Sequence, residues 1–246
     1  MLSYILPTLA CLSATQAAPL KRALPSAFFL AGDSTTAPDG GWGDAFVASI
    51  TEGSTGINFG HSGATLGSFR AGGDWANVLA AVESHKDEYR PFVTIQFGHN
   101  DQKTQEGLDA FVDNLVQFHA DVHAAGGEAI FLTSLARRNF ESDGSLRQDL
   151  GNVVEMTIEA AEQTGALWAD LNEASRAYLT SIGEENAMAY NLAPDDNTHL
   201  NKAGGVVFAG IVAGLLEGVD SEFAQYLDVD PGLETALEEG DYYYPE

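Results

Sequence analysis

Short apolar runs alternate with helix-patterned segments along most of this chain. The runs are Phe28–Ala31, Ile57–Phe59, Pro91–Phe97, Ala129–Leu132 and Ala166–Ala169. Strands that alternate with helices favour a parallel sheet with helices on both faces. We therefore predict a three-layer α/β/α fold around a mostly parallel, five-stranded sheet. The predicted helices are Trp42–Ile50, Trp75–Val82, Leu108–Val122, 147–164, Asn172–Ile182 and Lys202–Leu216.

The first 22 residues have the pattern of a secretory leader. Residues 1–17 combine an apolar run with the small residues of a cleavage site, and the run is too short to span a bilayer. Residues 18–22 end in the dibasic pair Lys21-Arg22, which predicts a short propeptide. Residues 23–246 are then a single secreted domain, whose acidic end beyond Asp220 we expect to be loosely packed. The single cysteine, Cys11, lies in the predicted signal, so no disulfide is expected in the mature protein.

The charge balance excludes one class of partner. The formal net charge is −25, and removal of Lys21 and Arg22 would take it to −27. A nucleic acid would be repelled by such a field, so we do not expect a nucleic acid as a partner. We also do not expect a membrane as a partner. We interpret the acidic composition as one that keeps the protein soluble in an acidic medium. We expect a monomer without a metal or organic cofactor.

Four short motifs carry the candidate chemistry. They are Gly32-Asp33-Ser34 after the first strand, Gly63, Gly98-His99-Asn100-Asp101 after the strongest strand, and Asp196-x-x-His199 before the last long helix. In this order and spacing they resemble the four blocks of the GDSL, or SGNH, hydrolase family. The spelling of the first and third motifs is most similar to its rhamnogalacturonan acetylesterase branch. The resemblance runs from about Phe28 to about Leu215 and implies a flavodoxin-like fold.

Ester hydrolysis through an acyl-enzyme needs a nucleophile, a base and an acceptor that orients the base. Ser34 is the candidate nucleophile, His199 the base and Asp196 the orienting carboxylate. The resemblance implies that the oxyanion hole consists of the backbone N–H groups of Ser34 and Gly63 and the side-chain amide of Asn100.

The neighbours of these residues have simpler interpretations. Asp33 and Asp101 are typical capping residues, and His99 is interpreted as a positioning residue that bonds nearby loops. Asp195 stands beside Asp196 and is separated from it as the orienting residue only by the family's spacing.

Two further patterns resemble catalytic motifs. Gly60-His61-Ser62-Gly63-Ala64 misses the Gly-x-Ser-x-Gly elbow at its fifth position, which argues against Ser62 as nucleophile. His119 and His123 have the spacing of helical metal ligands, but Ala120 replaces the required glutamate. We interpret them as solvent-facing.

The sequence therefore predicts a secreted serine esterase that removes acetyl groups from a plant cell-wall polysaccharide or oligosaccharide, with rhamnogalacturonan first. An acetyl xylan esterase, a general short-chain esterase or lipase, and an inactive carbohydrate-binding protein remain alternatives. Ala64 stands where the acetylesterase branch implies an arginine, the branch's disulfide cysteines are absent, and the segment after Asp101 is short. The ester chemistry is thus more firmly indicated than the polymer.

Overall fold

The computed structural model describes residues 24–51 and 53–245. The predicted signal, the propeptide and Cys11 lie outside these residues. The described part contains a five-stranded sheet, made of β1 (Ser26–Gly32), β2 (Thr55–Asn58), β3 (Arg90–Gln96), β4 (Glu128–Leu132) and β5 (Leu167–Ala169).

The five strands are all parallel and lie in the order β2-β1-β3-β4-β5. The strand β2 therefore lies on one side of β1, and β3 lies on the other side, followed by β4 and β5. This confirms the predicted flavodoxin-like sheet. In such sheets the point where the strand order reverses opens a crevice at the carboxyl ends of the strands.

The residues of β1 alternate between two separate cores because successive side chains of a strand point to opposite faces. Phe28 and Leu30 face one apolar cluster, and Ala27, Phe29 and Ala31 face the other. All five are fully buried. Both faces of the sheet are therefore covered by helices.

One layer contains four helices: α1 (Gly43–Ala48), α7 (Leu171–Met188), α8 (Lys202–Val219) and α9 (Pro231–Glu239). The other layer contains α2 (Leu66–Ala71), α3 (Asp74–His85), α5 (Phe111–Ala125) and α6 (Gly151–Thr164), and the short α4 (Gln105–Asp109) leads into α5. Left-handed glycines end two of them, Gly126 with φ 96° after α5 and Gly165 with φ 69° after α6.

The predicted helix over 147–164 begins four residues late, at Gly151. Arg147 donates its backbone N–H to the Asn139 carbonyl, and Phe140 pairs with Leu146 in an antiparallel bridge. The backbone around Arg147 is thus paired with the segment that directly precedes it and does not enter the helix.

The C-terminal segment is packed, so the prediction of a loosely packed end is wrong. A 3₁₀ turn over Ser221–Gln225 buries Phe223, and α9 buries Leu233. Tyr190, which is fully buried, stacks on Tyr244 at 6.4 Å between ring centroids. Apolar burial therefore fixes a segment whose acidic composition alone predicts solvation.

Helix α8 is long and apolar enough to cross a membrane by length and composition, and no other helix of the described residues is. Eleven of its residues are buried, among them Val207, Phe208 and Val212. Its apolar character is explained by its position in the core of this domain.

Candidate active site

The four sequence motifs converge at the switch point of the sheet. Ser34 follows β1 by two residues, and Asn100 follows β3 by four. The backbone N–H of His61 donates to the carbonyl of Gly32 at 3.0 Å, which ties the segment of Gly63 to the end of β1. Asp196 and His199 enter from the loop between α7 and α8.

The turn after β1 presents Ser34 at the edge of the crevice. Gly32 is required there, because an added Cβ would lie 2.2 Å from the hydroxyl oxygen of Thr36. The backbone N–H groups of Thr36 and Ala37 both donate to the Asp33 carbonyl, at 3.1 and 3.0 Å. Ser34 itself is 6% exposed, so the turn holds it in a largely enclosed position.

Gln96, the last residue of β3, fixes this turn from inside. Its Oε1 accepts hydrogen bonds from Thr36 Oγ1 at 3.1 Å and from Trp42 Nε1 at 3.0 Å, and its Nε2 donates to Thr35 Oγ1 at 3.0 Å. Sequence reasoning assigned Gln96 only to a strand. The available signal was an amide at the end of a predominantly apolar strand, because a buried amide needs polar partners.

Ser34, His199 and Asp196 form a continuous hydrogen-bonded chain. His199 Nε2 lies 2.9 Å from Ser34 Oγ, and His199 Nδ1 lies 2.8 Å from Asp196 Oδ2. The other carboxylate oxygen of Asp196 accepts the backbone N–H groups of Thr198 at 3.1 Å and His199 at 2.9 Å. The structure thus brings together the three residues that the sequence proposes as nucleophile, base and orienting acid.

The environment of Asp196 favours its ionised form. Burial alone would raise the pKa of Asp196, but the hydrogen bonds from the His199 backbone, the His199 ring and the Thr198 backbone outweigh it and hold the pKa below its usual value. A carboxylate in this state accepts from Nδ1 and leaves Nε2 facing the serine. Asp195 is exposed, and the carboxylate that contacts His199 is that of Asp196.

The backbone N–H groups of Ser34 and Gly63 are left without partners. Among the described residues, neither Ser34 nor Gly63 uses its N–H in a hydrogen bond. Gly63 has φ 81°, and a Cβ added there would meet no atom within 4 Å. A left-handed backbone in open space suits a donor that a ligand approaches closely.

Asn100 lies beside the segment of Gly63. Its Nδ2 donates to the carbonyl of Ala64 at 3.0 Å, and its Oδ1 accepts the ammonium of Lys103 at 2.7 Å. Because an amide nitrogen has two hydrogens, one N–H stays available for a ligand. Lys103 had not been singled out from the sequence.

Three buried titratable residues surround this arrangement. Asp33 Oδ1 accepts the backbone N–H of Thr35 at 2.9 Å, and Asp33 Oδ2 lies 3.4 Å from His99 Nδ1. Burial opposes the ionisation of Asp33, yet its attraction to His99 and its bonds to Thr35 lower its pKa. Asp101 Oδ1 accepts the backbone N–H of Leu66 at 2.9 Å, at the start of α2, and burial raises the pKa of Asp101 to about 6. Asp33 and Asp101 thus cap backbone groups.

The two further patterns, around Ser62 and at His119 and His123, do not form a catalytic arrangement or a metal site in the described residues. Ser62 is exposed, and the neighbouring His61 pairs with Asp74 at 2.8 Å instead. The rings of His119 and His123 lie 6.1 Å apart, and no group of three or more His, Cys, Asp or Glu side chains in the described residues is arranged to hold a metal. His123 is exposed as predicted, whereas His119 is half-buried, with its ring edge against Phe131 at 6.4 Å.

A groove of about 520 Å³ is lined by Leu200, the residue that follows the candidate base His199. It lies between α1 and α8 and is lined by Asp39, Leu192, Lys202 and the backbone of Gly40. A Cβ added to Gly40 would lie 3.7 Å from His199 Cδ2, so one of the residues that line the groove also lies close to the imidazole. Its mixture of carboxylate, ammonium and exposed apolar side chains is suited to a polyhydroxylated ligand.

A profile of the GDSL-like lipase/acylhydrolase family matches residues 30–205, which include all four motifs. The chain belongs to this family. It is therefore a carboxylic ester hydrolase with the SGNH fold. A rhamnogalacturonan acetylesterase, RhgT of Bacillus subtilis (strain 168), is 29% identical over 217 residues, which cover 80% of this chain and 90% of that protein.

Solved structures of the same fold are more distant in sequence. The Bacillus subtilis protein YXIM superposes with a TM-score of 0.67 at 24% identity over 80% of this chain, which spans 57% of the YXIM chain. Axe2, an acetylxylan esterase from Geobacillus stearothermophilus, superposes with a TM-score of 0.58 at 18% identity over 80% of this chain and 96% of its own. At these identities the likeness concerns the fold.

Proposed function

We propose that this hydrolase is a secreted, monomeric acetylesterase that acts on acetylated rhamnogalacturonan through an acetyl-enzyme. The observation that carries the proposal is the unbroken chain of hydrogen bonds from Ser34 Oγ through His199 to Asp196. Secretion is inferred from the leader-like residues 1–22, and the polymer from the relative of 29% identity.

Ser34 Oγ attacks the carbonyl carbon of the acetyl ester while its proton passes to His199 Nε2, 2.9 Å away. The electron pair of the carbonyl moves to its oxygen, and the N–H groups of Ser34, Gly63 and Asn100 stabilise that charge. As the C–O bond to the sugar breaks, the imidazolium returns its proton to the sugar oxygen. Water then attacks the acetyl-serine by the same route and releases acetate.

The groove beside His199 is the place that we assign to the sugar part of the substrate. The leaving oxygen has to lie near His199 Nε2 to receive its proton, and Gly40, which lines the groove, lies close to the same ring. Asp39 and Lys202 offer acceptors and donors to sugar hydroxyls, and Leu192 offers an apolar surface to a ring face.

The test compares Ser34→Ala with Ser62→Ala, a matched serine in a neighbouring loop. Ser34→Ala is expected to lose several orders of magnitude in kcat on p-nitrophenyl acetate, whereas Ser62→Ala keeps most of it. Acetate release from acetylated rhamnogalacturonan, acetylated xylan and a soluble acetyl sugar then ranks the substrates. Faster acetate release from xylan would make acetylated xylan the substrate in place of rhamnogalacturonan. An inactive wild-type protein would support a carbohydrate-binding role.

A further inference from the structure

Arg138 lies against the loop that carries Asp196 and His199, and its side chain is 0% exposed. Its Nη2 donates to the backbone carbonyl of His199 at 2.6 Å and approaches that of Asp196 at 3.4 Å. Its Nε donates to Asn191 Oδ1 at 2.6 Å. The guanidinium thus reaches both ends of the turn that holds the base and the acid, and also the start of the same loop.

These contacts go to the backbone of the loop and leave its functional side chains unoccupied. Neither the Asp196 carboxylate nor the His199 ring is a hydrogen-bond partner of Arg138, so both stay available for each other and for Ser34. The backbone N–H of Arg138 also donates to the Asn197 carbonyl at 2.8 Å. An arginine suits this arrangement because its rigid planar fork has five donors, whereas lysine has a single flexible ammonium.

A contribution to stability does not by itself explain a buried arginine at position 138. Burial of a cation costs free energy, and replacement of buried ionic groups by apolar ones is often neutral or stabilising. Among the described residues, Arg138 Nη1 has no hydrogen-bond partner although it is buried. Burial lowers the pKa of Arg138 to about 10 against the attraction of Asp196, so the group is still charged at neutral pH.

We propose that Arg138 is a positioning residue that holds the Asp196–His199 loop in its reactive geometry and keeps a positive charge next to it. The inference rests on the proposed roles of Asp196 and His199. Among the described residues, the Asp196 carboxylate and the Ser34 hydroxyl lie within hydrogen-bonding distance of the His199 ring. Arg138 contacts the His199 backbone carbonyl, which also accepts the backbone N–H of Leu192 at 3.0 Å. A fixed positive charge opposes the gain of a second positive charge close to it.

Kinetics of Arg138→Met and Arg138→Lys separate the geometric effect from the charge effect. For Arg138→Met we expect kcat on p-nitrophenyl acetate to fall about 10–100-fold with little change in KM, because a small misplacement of the base affects the transition state most. The acidic limb of the kcat profile should move about 0.5–1 pH unit higher. Arg138→Lys should recover part of kcat and leave the limb in place. Arg176→Met, which removes a half-buried arginine with one bond to the Arg147 carbonyl, is the control and should change neither quantity.

A second readout does not depend on activity. In Ser34→Ala protein with labelled histidines, NMR should show that His199 protonates at a higher pH when Arg138→Met is added, and at an unchanged pH with Arg138→Lys. An inactive wild-type enzyme would refute the proposed function while this titration still tested Arg138. Unchanged kcat together with an unchanged His199 titration would overturn the inference.

Arg138→Met could fail to fold, and Asn191→Ala then replaces it. This variant keeps the buried charge and removes the acceptor of Arg138 Nε. We expect it to lower kcat about 3–10-fold without a shift of the acidic limb, in line with a loosened anchor. Full kcat in both Asn191→Ala and Arg138→Lys would contradict a positioning role.

Discussion

The amide of Asn100 is fixed by two hydrogen bonds, and one N–H is left over for the substrate. If that N–H stabilises the oxyanion, Asn100→Ala should lower kcat about 10²–10³-fold, equivalent to about 3–4 kcal/mol, with KM nearly unchanged. Steady-state kinetics with one acetyl ester, alongside a melting curve, measure this. Asn100→Asp should be worse, because a carboxylate repels the developing charge.

Lys103→Met provides the comparison for Asn100→Ala. It removes the bond to Asn100 Oδ1 and leaves Nδ2 bound to the Ala64 carbonyl, so the loss in kcat should be smaller. If Asn100 only positions the loop, Asn100→Ala instead keeps kcat, raises KM and lowers the melting temperature.

Asp101 is a second residue with a measurable effect, in this case on stability. Its carboxyl is 2% exposed, and burial raises its pKa from 3.8 to about 6 in the folded protein. The folded state therefore binds this proton more tightly than the unfolded state. The resulting contribution to stability is complete below pH 3.8 and is lost as the pH rises through about 6, with a total on the order of 3 kcal/mol.

Asp101→Asn should abolish this loss, because the asparagine stays neutral and keeps an oxygen for the backbone N–H of Leu66. Urea unfolding at pH 4 and pH 8 measures this effect. The free energy of unfolding of the variant, relative to that of the wild type, should be higher at pH 8 than at pH 4. Asp113→Asn, at an exposed position of α5, is the control. A wild-type advantage that grows towards pH 8 would show that the Asp101 charge stabilises the fold.

At the scale of elements, α9 packs on α8 through a close contact with a glycine. Leu233 is 1% exposed, and a Cβ added to Gly210 would lie 2.7 Å from its Cδ2. We expect Leu233→Ala to lower the free energy of unfolding by about 2–4 kcal/mol while kcat is kept. Glu238→Ala, exposed on the same helix, should change it by less than about 0.5 kcal/mol. Equal effects in urea unfolding would mean that α9 contributes little to the core.

Local sequence patterns were sufficient to predict most helices and strands. They were insufficient where contacts outside an element determine its boundaries or its packing. The helix predicted over Asn172–Ile182 ends where Gly183, with φ 77°, interrupts α7, but the helix then resumes to Met188. The delayed start of α6 depends on the pairing of Arg147 and Leu146 with Asn139 and Phe140, which lie just outside the predicted helix. The packing of Tyr242 and Tyr244 on Tyr190 joins parts of the chain that no local window contains.

At the scale of the whole molecule, the same distinction applies to the candidate site. Ser34, Asn100, Asp196 and His199 each stand in a short motif at a strand or helix end, so the sequence alone was sufficient to propose them. Gln96 and Arg138 contact their partners across separations of 53 to 61 residues and have no motif of their own. Their importance comes from burial and hydrogen bonding, which the fold decides.

The net charge of −25 leads to a prediction about the polymer. Rhamnogalacturonan contains galacturonate and is itself a polyanion, so the two should repel each other at low salt. The Debye length falls from about 30 Å at 0.01 M to about 8 Å at 0.15 M ionic strength, which screens charges spread over the surface. We therefore expect KM for acetylated rhamnogalacturonan to fall about two- to fivefold over this range. For p-nitrophenyl acetate and acetylated xylan, which are uncharged, KM should stay constant. A KM for the acidic polymer that rises with salt would mean instead that nearby cations, Lys103 at Asn100 and Lys202 in the groove, outweigh the field of the whole molecule.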